Sequence, residues 1–355
     1  MPEWIPRARG ELSSSELREL ARANEDDVFS LEGELASATG WPHVVLVPSA
    51  RVGLVEVMHA LHVPTGSEVL TSALNFPPLI ERMRAHWRPV PVDVDGTSAC
   101  VEGLARALGP GAGALIATHA FGRPAPMAAY RQLADRHGVP LIEDAAQALG
   151  AKTEARGDAA VISFGPTKPL AAWGGGAVLC RERAVADRVR ARGRRYGGGR
   201  ASRIARGLAF ELVSRFGGPV AKRASADELV ERWLTDPAGE PRRRPWQDAP
   251  MGALEARLVR MRLAGLGRRT EARRSQHRSV SAELASRGLD VWPDVAGGIG
   301  FGVLMSSDDA PADARALRRR GIDAPHGELR LIGDPRVSPK AARLERTLLR
   351  VPVAW

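Results

Sequence analysis

Short apolar runs alternate with amphipathic stretches along the first half of the chain. Apolar residues at helical spacing predict helices over residues 52–63, 76–86 and 126–137. Short apolar runs between and after these helices predict strands over residues 68–74, 89–94, 114–118, 139–142 and 159–162. Buried strands that alternate with helices are typical of βαβ units, so the pattern predicts an α/β fold with a mostly parallel sheet.

Polar side chains follow three of these predicted strands. His119 lies directly after one strand, and Glu143 and Asp144 lie after the next. Ser163 follows a third strand and is soon followed by Lys168. Because the carboxyl ends of parallel strands meet at one edge of a sheet, proteins of this class bind their ligands there. The sequence therefore predicts a functional site at this edge.

The composition changes in the middle of the chain. Residues 181–206 are rich in arginine, which predicts a solvated helix followed by a loop. Residues 237–250 are rich in proline and arginine, and we interpret them as a linker. The predicted organisation is a large domain over residues 1–236, which includes a basic segment over 181–236, and a small C-terminal α/β domain over 251–355.

Length and composition indicate a globular protein. The 355 residues are 26% charged and 44% hydrophobic, which excludes wholesale disorder and indicates about two domains. The two cysteines form no CxxC pattern, so we expect neither a disulfide framework nor a metal site. The polar amino terminus lacks the apolar core of a signal peptide, and no apolar stretch has the length of a membrane span. We therefore expect a cytoplasmic protein without a membrane partner.

Arginine supplies almost all of the positive charge. Only four of the 51 basic residues are lysine, and the net charge is +10. This excess fits either a compositional bias of the surface or a binding surface for an acidic partner, such as nucleic acid or a phosphorylated substrate. Residues 181–206 contain no helix-turn-helix signal, and Tyr196 is the one aromatic residue among their arginines. We therefore expect no nucleic-acid partner.

Against this background, Lys168 is the candidate for chemistry. It lies in a nearly uncharged segment, residues 163–179, of a chain that uses arginine where only a positive charge is needed. Unlike arginine, lysine can lose its proton when it is desolvated and can form a Schiff base with a carbonyl group. The alternative is a solvated lysine in a loop.

Asp144 and Ser163 add to this candidate site. Asp144 ends an apolar strand, where it either caps a helix or pairs with a buried cation such as the protonated pyridine nitrogen of pyridoxal 5′-phosphate. Ser163 and the glycine run 174–176 are suited to bind a phosphate through a hydroxyl group and close backbone approach. Each signal alone is unspecific, and it is their order and spacing together that carry information.

The same segments resemble the DegT/DnrJ/EryC1/StrS family of aminotransferases. Three motifs carry the resemblance, namely IEDAAQALGA, VISFGPTK and the glycine run that follows. Further similar segments are PSARVGLVEVMHAL, GSEVLTSALNFPP, PVPVDVD and ATHAFGRPAPM, and the resemblance is strongest over residues 32–195. It implies an aspartate-aminotransferase-like (fold type I) transferase that depends on pyridoxal phosphate. It also implies a homodimer with its sites at the subunit interface.

The resemblance implies a role for each matching residue. Lys168 would form the Schiff base with the cofactor and then move protons, and Asp144 would pair with the pyridine nitrogen. Gln147 would lie near the oxygen side of the ring, and Ser163 would bind the phosphate. Phe76 falls where the family stacks an aromatic ring on the cofactor, although a phenylalanine of the core is an equal interpretation.

Other positions depart from the family pattern. Arg51 and Val52 stand where the family supplies a hydroxyl group and a small residue to the phosphate, so Arg51 would contact either that phosphate or the substrate. Asp248 stands near an asparagine of the loop that reaches the partner subunit, and a carboxylate there would repel a phosphate. Asp248 is also a candidate helix N-cap. His119 would either reach the substrate or bind a neighbouring loop.

The resemblance implies a ping-pong transamination. An amino donor, glutamate by resemblance, would supply the amino group, and a keto group of a nucleotide-linked sugar would accept it in a biosynthetic pathway. The alternatives are another reaction of the same cofactor, transamination of a non-sugar ketone, and a non-catalytic nucleic-acid-binding or sensory protein of the same fold. Relatives that dehydrate sugars carry histidine in place of the lysine, so Lys168 favours transamination.

Overall fold

Helices and strands alternate along most of the chain. The structure, a computed structural model, describes residues 12–216, 248–320, 322 and 324–353. From the amino terminus the elements are α1 (Ser14–Leu20), α2 (Asp26–Thr39), β1 (His43–Val47), α3 (Ala50–Ala60), β2 (Glu68–Ser72), β3 (Leu74–Asn75), α4 (Pro77–Arg84), β4 (Arg88–Val92), β5 (Val94–Asp95) and β6 (Ser98–Ala99). They continue with α5 (Val101–Ala107), β7 (Ala112–Thr118), a 3-10 turn (Ala120–Gly122), α6 (Met127–His137), β8 (Leu141–Asp144), β9 (Ala159–Ser163), β10 (Gly176–Cys180), α7 (Arg183–Gly193) and α8 (Arg200–Phe216). The C-terminal elements are α9 (Ala253–Leu263), α10 (Leu266–Ser286), β11 (Val303–Ser306), α11 (Ala310–Arg319), β12 (Arg330–Leu331), α12 (Pro339–Thr347) and β13 (Leu348–Val351).

The central sheet has seven strands in the order β1-β10-β9-β8-β7-β2-β4. Strand β10 runs antiparallel to both of its neighbours, whereas the other neighbouring strands are parallel. Strands β7, β8 and β9 are buried along nearly their whole length, as expected for a sheet covered on both faces. The predicted mostly parallel sheet is therefore confirmed.

Two segments differ from the sequence-based expectation. The loop expected near the end of residues 181–206 is replaced in large part by helix α8. Gly207 lets this helix lie on Trp173, because a Cβ at Gly207 would fall 2.2 Å from the indole Cγ. The second difference is β10, which begins at the last glycine of the run 174–176, where no strand was expected.

Helix α3 lies directly on one face of the sheet. Its buried residues Leu54 and Val57 pack in one cluster with Val47 of β1 and Val178 of β10. Gly53 permits this approach, because a Cβ there would fall 2.9 Å from a methyl carbon of Val178 and 3.0 Å from one of Val47. The packing fixes the amino end of α3 beside the carboxyl end of β1.

The opposite face is covered by α2 and, from far along the chain, by α9. Leu31 and Leu35 of α2 pack with Leu258 and Val259 of α9 in one buried cluster. Helix α9 thus packs on the large sheet although it follows the expected linker. The division into domains stays a prediction, because residues 217–247, which contain most of that linker and the end of the basic segment, lie outside the described residues.

The C-terminal elements form a smaller α/β unit that also contacts the large sheet. Strands β11 and β13 pair antiparallel, and α11 packs against them through Ala310 and Ala314. Strand β12 pairs instead with β3, where Arg330 lies opposite Asn75, directly before Phe76. This pairing brings a C-terminal segment to the carboxyl edge of the central sheet.

Helix α10 is long but polar. Its 21 residues include arginine pairs at 268–269 and 273–274. Among the residues that the structure describes, no helix is long and apolar enough to span a bilayer. Within the same ranges, no three His, Cys, Asp or Glu side chains are grouped so that they would hold a metal ion.

Candidate active site

The carboxyl ends of neighbouring parallel strands meet at one edge of the central sheet. Thr118 at the end of β7 lies beside Asp144 at the end of β8. Asp144 lies beside Val161 of β9, close to Ser163 at the end of that strand. Ser163 in turn pairs with Gly176 at the start of β10. The strand register therefore places Asp144 and Ser163 on the same edge, as the sequence predicts.

The amino end of α3 joins this edge beside the glycine run. Ser49 caps the helix, and its Oγ accepts a hydrogen bond of 3.3 Å from the amide of Val52, whose side chain is buried. Ser49 also bridges to Gly175, which has a φ of +92°. A Cβ at Gly176 would fall 2.8 Å from the amide nitrogen of Ala50, so only glycine fits here. The first-turn amides of α3 and these glycines form a backbone surface suited to an anion.

Lys168 lies in the loop after β9, and its side chain is partly buried. Its Nζ makes no hydrogen bond or ion pair within the part of the chain that the structure describes. Burial lowers the pKa of Lys168 below its ordinary value, and the nearby carboxylates of Glu328 and Asp144 oppose this shift. Nearby Arg350 and Arg51 lower the pKa further. A lowered pKa leaves more of the amine neutral at pH 7, which suits a nucleophile or a proton acceptor.

Asp144 occupies a setting that disfavours its own charge. Its Oδ1 accepts a hydrogen bond of 3.1 Å from the amide of Ala146. Burial raises the pKa of this carboxyl group above its ordinary value, and the Ala146 amide and nearby Lys168 and His119 offset the shift only in part. A carboxylate in such a setting gains from a cationic partner.

His119 is fully buried, and both of its ring nitrogens have partners. Nδ1 accepts a hydrogen bond of 2.9 Å from the amide of Ala125, so the proton is on Nε2. Nε2 donates it to Glu143 at 2.9 Å, and the other oxygen of Glu143 accepts from the amide of Gly157 at 2.7 Å. The ring therefore holds the loop after β7, and a role toward the substrate would require one of these bonds to break.

Gln147 holds the turn that follows His119. Its Oε1 accepts a hydrogen bond of 2.8 Å from the amide of Phe121. Phe121 has a φ of +56°, a left-handed conformation that is rare for a bulky residue and needs such support. The proposed position of Gln147 beside the cofactor ring stays a prediction.

Phe76 and Arg51 contact each other near the amino end of α3. The Arg51 guanidinium carbon lies 5.8 Å from the centroid of the Phe76 ring. Phe76 is 40% exposed, so its interpretation as a core residue does not fit. Burial and nearby Arg82 lower the pKa of Arg51 to about 10, and nearby Asp248 opposes the shift. Arg51 therefore remains a cation at neutral pH and can bind an anion.

Asp248 pairs with Arg82 of helix α4. Its Oδ1 lies 2.6 Å from Nη2 of Arg82. This pair neutralises the carboxylate that would otherwise repel a phosphate group. Asp248 is not the N-cap of the following helix, because the cap of α9 is Gly252.

Several residues of the site escape sequence-based reasoning. Glu328 and Arg350 form a bidentate pair at 2.7 and 2.9 Å near Lys168, and no local motif marks either of them. Arg82 is likewise found only through its partner Asp248. Ser49 did have a signal, because a serine directly before an apolar helical pattern is typical of an N-cap.

A family model matches most of the chain. The model of the DegT/DnrJ/EryC1/StrS aminotransferase family matches residues 16–297. The chain belongs to this family. The matched range contains the whole central sheet, α3, Asp144 and Lys168, so the resemblance inferred from the motifs is confirmed.

Two curated proteins are similar to this member of the DegT/DnrJ/EryC1/StrS family. It is 37% identical over 175 residues to the erythromycin biosynthesis sensory transduction protein EryC1 of Saccharopolyspora erythraea, and the match covers 47% of each chain. It is 34% identical over 167 residues to the UDP-N-acetyl-3-dehydro-alpha-D-glucosamine 3-aminotransferase of Acidithiobacillus ferrooxidans, covering 45% of each chain. The chain thus spans about half the length of the curated relatives it matches.

A solved structure shares the fold over nearly the full length of the chain. The putative sugar aminotransferase Spr1654 of Streptococcus pneumoniae, solved in its PLP form, superposes with a TM-score of 0.75 at 15% identity. The superposition covers 99% of this chain and 94% of the other. The predicted aspartate-aminotransferase-like architecture (fold type I) is therefore confirmed.

Proposed function

We propose that this protein is an aminotransferase that uses pyridoxal 5′-phosphate. The observation that carries the proposal is the setting of Lys168, a partly buried amine of lowered pKa at the sheet edge that also holds Asp144. Burial of an unpaired lysine costs free energy, so a lysine that only served the structure or the solubility of the protein would not be placed in this way. Membership of an aminotransferase family supports the same conclusion.

The residues of this edge fit the cofactor. Its phosphate would bind the first-turn amides of α3 beside Gly175 and Gly176, where side chains are excluded and the backbone can approach closely. Ser163 would add a hydroxyl group. Burial raises the pKa of Asp144, and the cofactor's pyridinium would be the cation that stabilises its ionised form.

The remaining contacts fit the cofactor's ring and an anionic group. Phe76 would stack on the ring, Gln147 would lie near the ring oxygen, and Val52 would supply a small contact to the phosphate side. Lys168 would hold the cofactor's aldehyde carbon through Nζ. Arg51 would bind an anionic group, either of the cofactor or of the substrate.

Once bound, the cofactor supplies an electron sink for a bond at the substrate's α-carbon. The chain supplies the proton transfers. Lys168 would take a proton from the α-carbon of the amino donor and deliver it to C4′, the aldehyde carbon of the cofactor, which requires a neutral amine at working pH. Asp144 would remain ionised and hold the ring nitrogen in its protonated form.

The substrates are proposed by chemistry and by relationship. We propose glutamate as the amino donor and the keto group of a small, nucleotide-linked sugar as the acceptor, in a biosynthetic pathway. One curated relative is named for a UDP-linked keto sugar. The net charge of +10 favours a phosphorylated acceptor. We further propose a cytoplasmic homodimer with sites at the subunit interface, in which Asp248 lies near the partner.

The purified protein tests the proposal directly. It should bind pyridoxal phosphate, absorb in the visible range, and become irreversibly labelled at Lys168 after borohydride reduction, as peptide mass spectrometry would show. Glutamate should then discharge the colour and release 2-oxoglutarate. A protein that stays colourless with added cofactor would exclude the aminotransferase proposal.

Two other functions have separate tests, and one of them has support from a relative. One relative is named as a sensory transduction protein, so a non-catalytic relative of the same fold is a second candidate. It would bind duplex DNA in a salt-sensitive manner and would not turn over glutamate. Another reaction of the same cofactor, or transamination of a non-sugar ketone, would appear in a panel of keto sugars and keto acids offered with glutamate.

A further inference from the structure

An ion pair of the C-terminal segments borders the candidate site and has no part in the chemistry proposed above. Two hydrogen bonds of 2.7 and 2.9 Å join the guanidinium of Arg350 to the carboxylate of Glu328. Arg350 lies deeper, with 3% of its side chain exposed against 17% for Glu328. The carboxylate is therefore the part of the pair that a ligand would meet first.

Arg350 is held in one orientation. Its Nη1 donates to the carbonyl oxygen of Phe301 at 3.3 Å, and its guanidinium carbon lies 4.7 Å from the Phe301 ring centroid. Gly302 leaves room for the side chain, because a Cβ there would fall 2.7 Å from Arg350 Cγ. A bidentate arginine that is fixed in this way orients the carboxylate it binds. Arg350 thus acts as a positioning residue for Glu328.

Strand pairing places Glu328 near the cofactor side of the site. Arg330, in the strand just after Glu328, pairs with Asn75 of β3. Phe76, the proposed stacking residue, directly follows Asn75. The backbone around Glu328 is therefore tied to the segment that presents Phe76.

A second observation relates Glu328 to the edge of the sheet. Glu328 lines a small recess together with Phe121, whose amide donates to Gln147. Both Glu328 and Asp144 raise the pKa of Lys168 and so counteract the effect of burial, and Glu328 has the larger influence of the two. Glu328 thus lies at the border of the site from which Lys168 would reach its substrate.

We propose that Glu328, oriented by Arg350, determines acceptor specificity by accepting hydrogen bonds from hydroxyl groups of the ketone. The inference rests on the proposed aminotransferase function, and it specifies the chemical class of the ketone that accepts the amino group. An ionised carboxylate accepts hydrogen bonds but donates none, so it selects hydroxyl groups. It repels a second carboxylate placed near it. The acceptor is therefore a hydroxylated ketone that is neutral on the side that faces Glu328.

A charge opposite in sign to that of Glu328 also lies near Lys168. It belongs to Arg51, which is a cation and would take the anionic part of a substrate. An acceptor with a phosphorylated tail toward Arg51 and hydroxyl groups toward Glu328 satisfies both. Glutamate fits the same site if its carboxylate points toward Arg51.

The test compares two ketones in the enzyme loaded with the amino form of its cofactor. Single-turnover absorbance gives kcat/KM for 2-oxoglutarate and for the fastest of three hydroxylated ketones, namely a UDP-linked 3-keto hexosamine, a keto-inositol and dihydroxyacetone. Glu328→Gln should lower the value for the hydroxylated ketone by about tenfold or more, since a hydrogen bond to a charged group is lost. The value for 2-oxoglutarate should change less than about threefold or rise.

Further variants separate a specific effect from a structural one. Glu328→Asp keeps the charge and should retain more selectivity than Glu328→Gln. Arg350→Lys loses the bidentate geometry and should shift selectivity in the same direction as Glu328→Gln, by a smaller factor. Glu68→Gln removes one partner of a Glu–Arg pair at the opposite edge of the sheet, and should leave the ratio of the two ketones unchanged.

Each result decides one point. A Glu328→Gln enzyme in which both ketones change by the same factor, or neither changes, overturns the specificity role. So does a wild-type enzyme that reacts with 2-oxoglutarate and with none of the hydroxylated ketones. A wild-type protein that binds no cofactor, or binds it and does not react with glutamate, counts instead against the proposed function.

Discussion

Two regions of the molecule bury ionisable groups, but the charged form is favoured in one region and disfavoured in the other. In the cleft beside α3, the carboxylate of Glu56 is fully buried. At the sheet edge, Lys168 and Asp144 are partly buried. The first group is surrounded by donors, whereas the second two have few partners. The contrast separates a buried charge that is compensated within the fold from two ionisable groups that are not.

The Glu56 cluster shows a buried charge with full compensation. Arg195 lies 2.6 Å from both carboxylate oxygens, Arg192 donates at 2.7 Å and the Tyr196 hydroxyl at 2.5 Å. Burial alone would raise the pKa of Glu56, but hydrogen bonds from these three side chains outweigh it, and the pKa lies below its ordinary value. The ionised form is thus the stable one in the folded protein.

The sheet edge shows the opposite balance. Burial shifts the pKa of Lys168 downward and that of Asp144 upward, so each group is pushed toward its neutral form. Such shifts reduce the stability of the fold at neutral pH. They are typical of functional sites, where a ligand supplies the missing partner.

The largest effect is expected from Lys168→Ala. Loss of the amine that we propose as the proton carrier should slow the reaction with glutamate by about 10²- to 10⁴-fold. Stopped-flow absorbance of the cofactor-loaded protein measures it. Lys152→Ala removes an exposed lysine and serves as the control, with an unchanged rate. Full turnover in the Lys168→Ala protein would refute the assigned chemistry.

Removal of the Glu56 carboxylate, whose charge is balanced by its hydrogen-bond donors, should lower the stability of the fold. Glu56→Ala leaves two arginines without their buried partner and should lower the free energy of unfolding by about 3 kcal/mol. Urea denaturation measures this change. Glu68→Ala, which breaks a more exposed Glu–Arg pair, should change the free energy by less than about 1 kcal/mol. Equal losses in the two variants would contradict the view that Glu56 is a specific anchor.

The pH dependence of stability distinguishes the same two regions. The pKa of Glu56 is lower in the folded than in the unfolded state, so its contribution is present above the ordinary pKa of about 4.3 and is lost as the pH falls through the folded value. In this range, the slope of unfolding free energy against pH should be shallower in Glu56→Gln than in the wild type, by up to about 1.4 kcal/mol per pH unit. Identical slopes would show that Glu56 is not the titrating group.

The smallest change in stability is expected from Asp144→Asn. Whether this variant gains or loses stability is the informative result. Asparagine keeps an acceptor for the Ala146 amide and removes a charge that burial disfavours. The cofactor-free protein should therefore gain up to about 1 kcal/mol of stability at neutral pH, while its reaction with glutamate slows. Thermal unfolding without and with the cofactor measures the gain, which should vanish when the cofactor is bound. A clear loss of stability without the cofactor would mean that Asp144 is already compensated.

The sequence contains the local half of the site. Asp144 and Ser163 can be found because a strand's apolar run ends at each of them, and parallel strands bring such ends together. Lys168 can be found because lysine is scarce in this chain. The observed strands of the first half likewise lie within a few residues of the apolar runs that predict them.

The non-local half cannot be found in this way. Arg82 and Asp248, and likewise Glu328 and Arg350, meet only through tertiary packing, and no spacing or motif relates them. Helix α8 was missed because its packing depends on Gly207 against Trp173, a contact between distant segments. Strand β10 was missed because the preceding glycines indicate a loop, and it is the sheet that makes the following residues a strand.

The antiparallel strand β10 has a consequence for the order in which the chain folds. Strand β1 is at the edge of the central sheet, and its neighbour β10 lies more than a hundred residues later in the chain. Pairings of such large sequence separation form slowly, because closing the long loop costs chain entropy before any stabilising contact is made. During synthesis, β1 would leave the ribosome well before its neighbour. Ser49 meets Gly175 only when this last pairing closes, so the proposed phosphate site would be incomplete in a nascent chain until its sheet is complete.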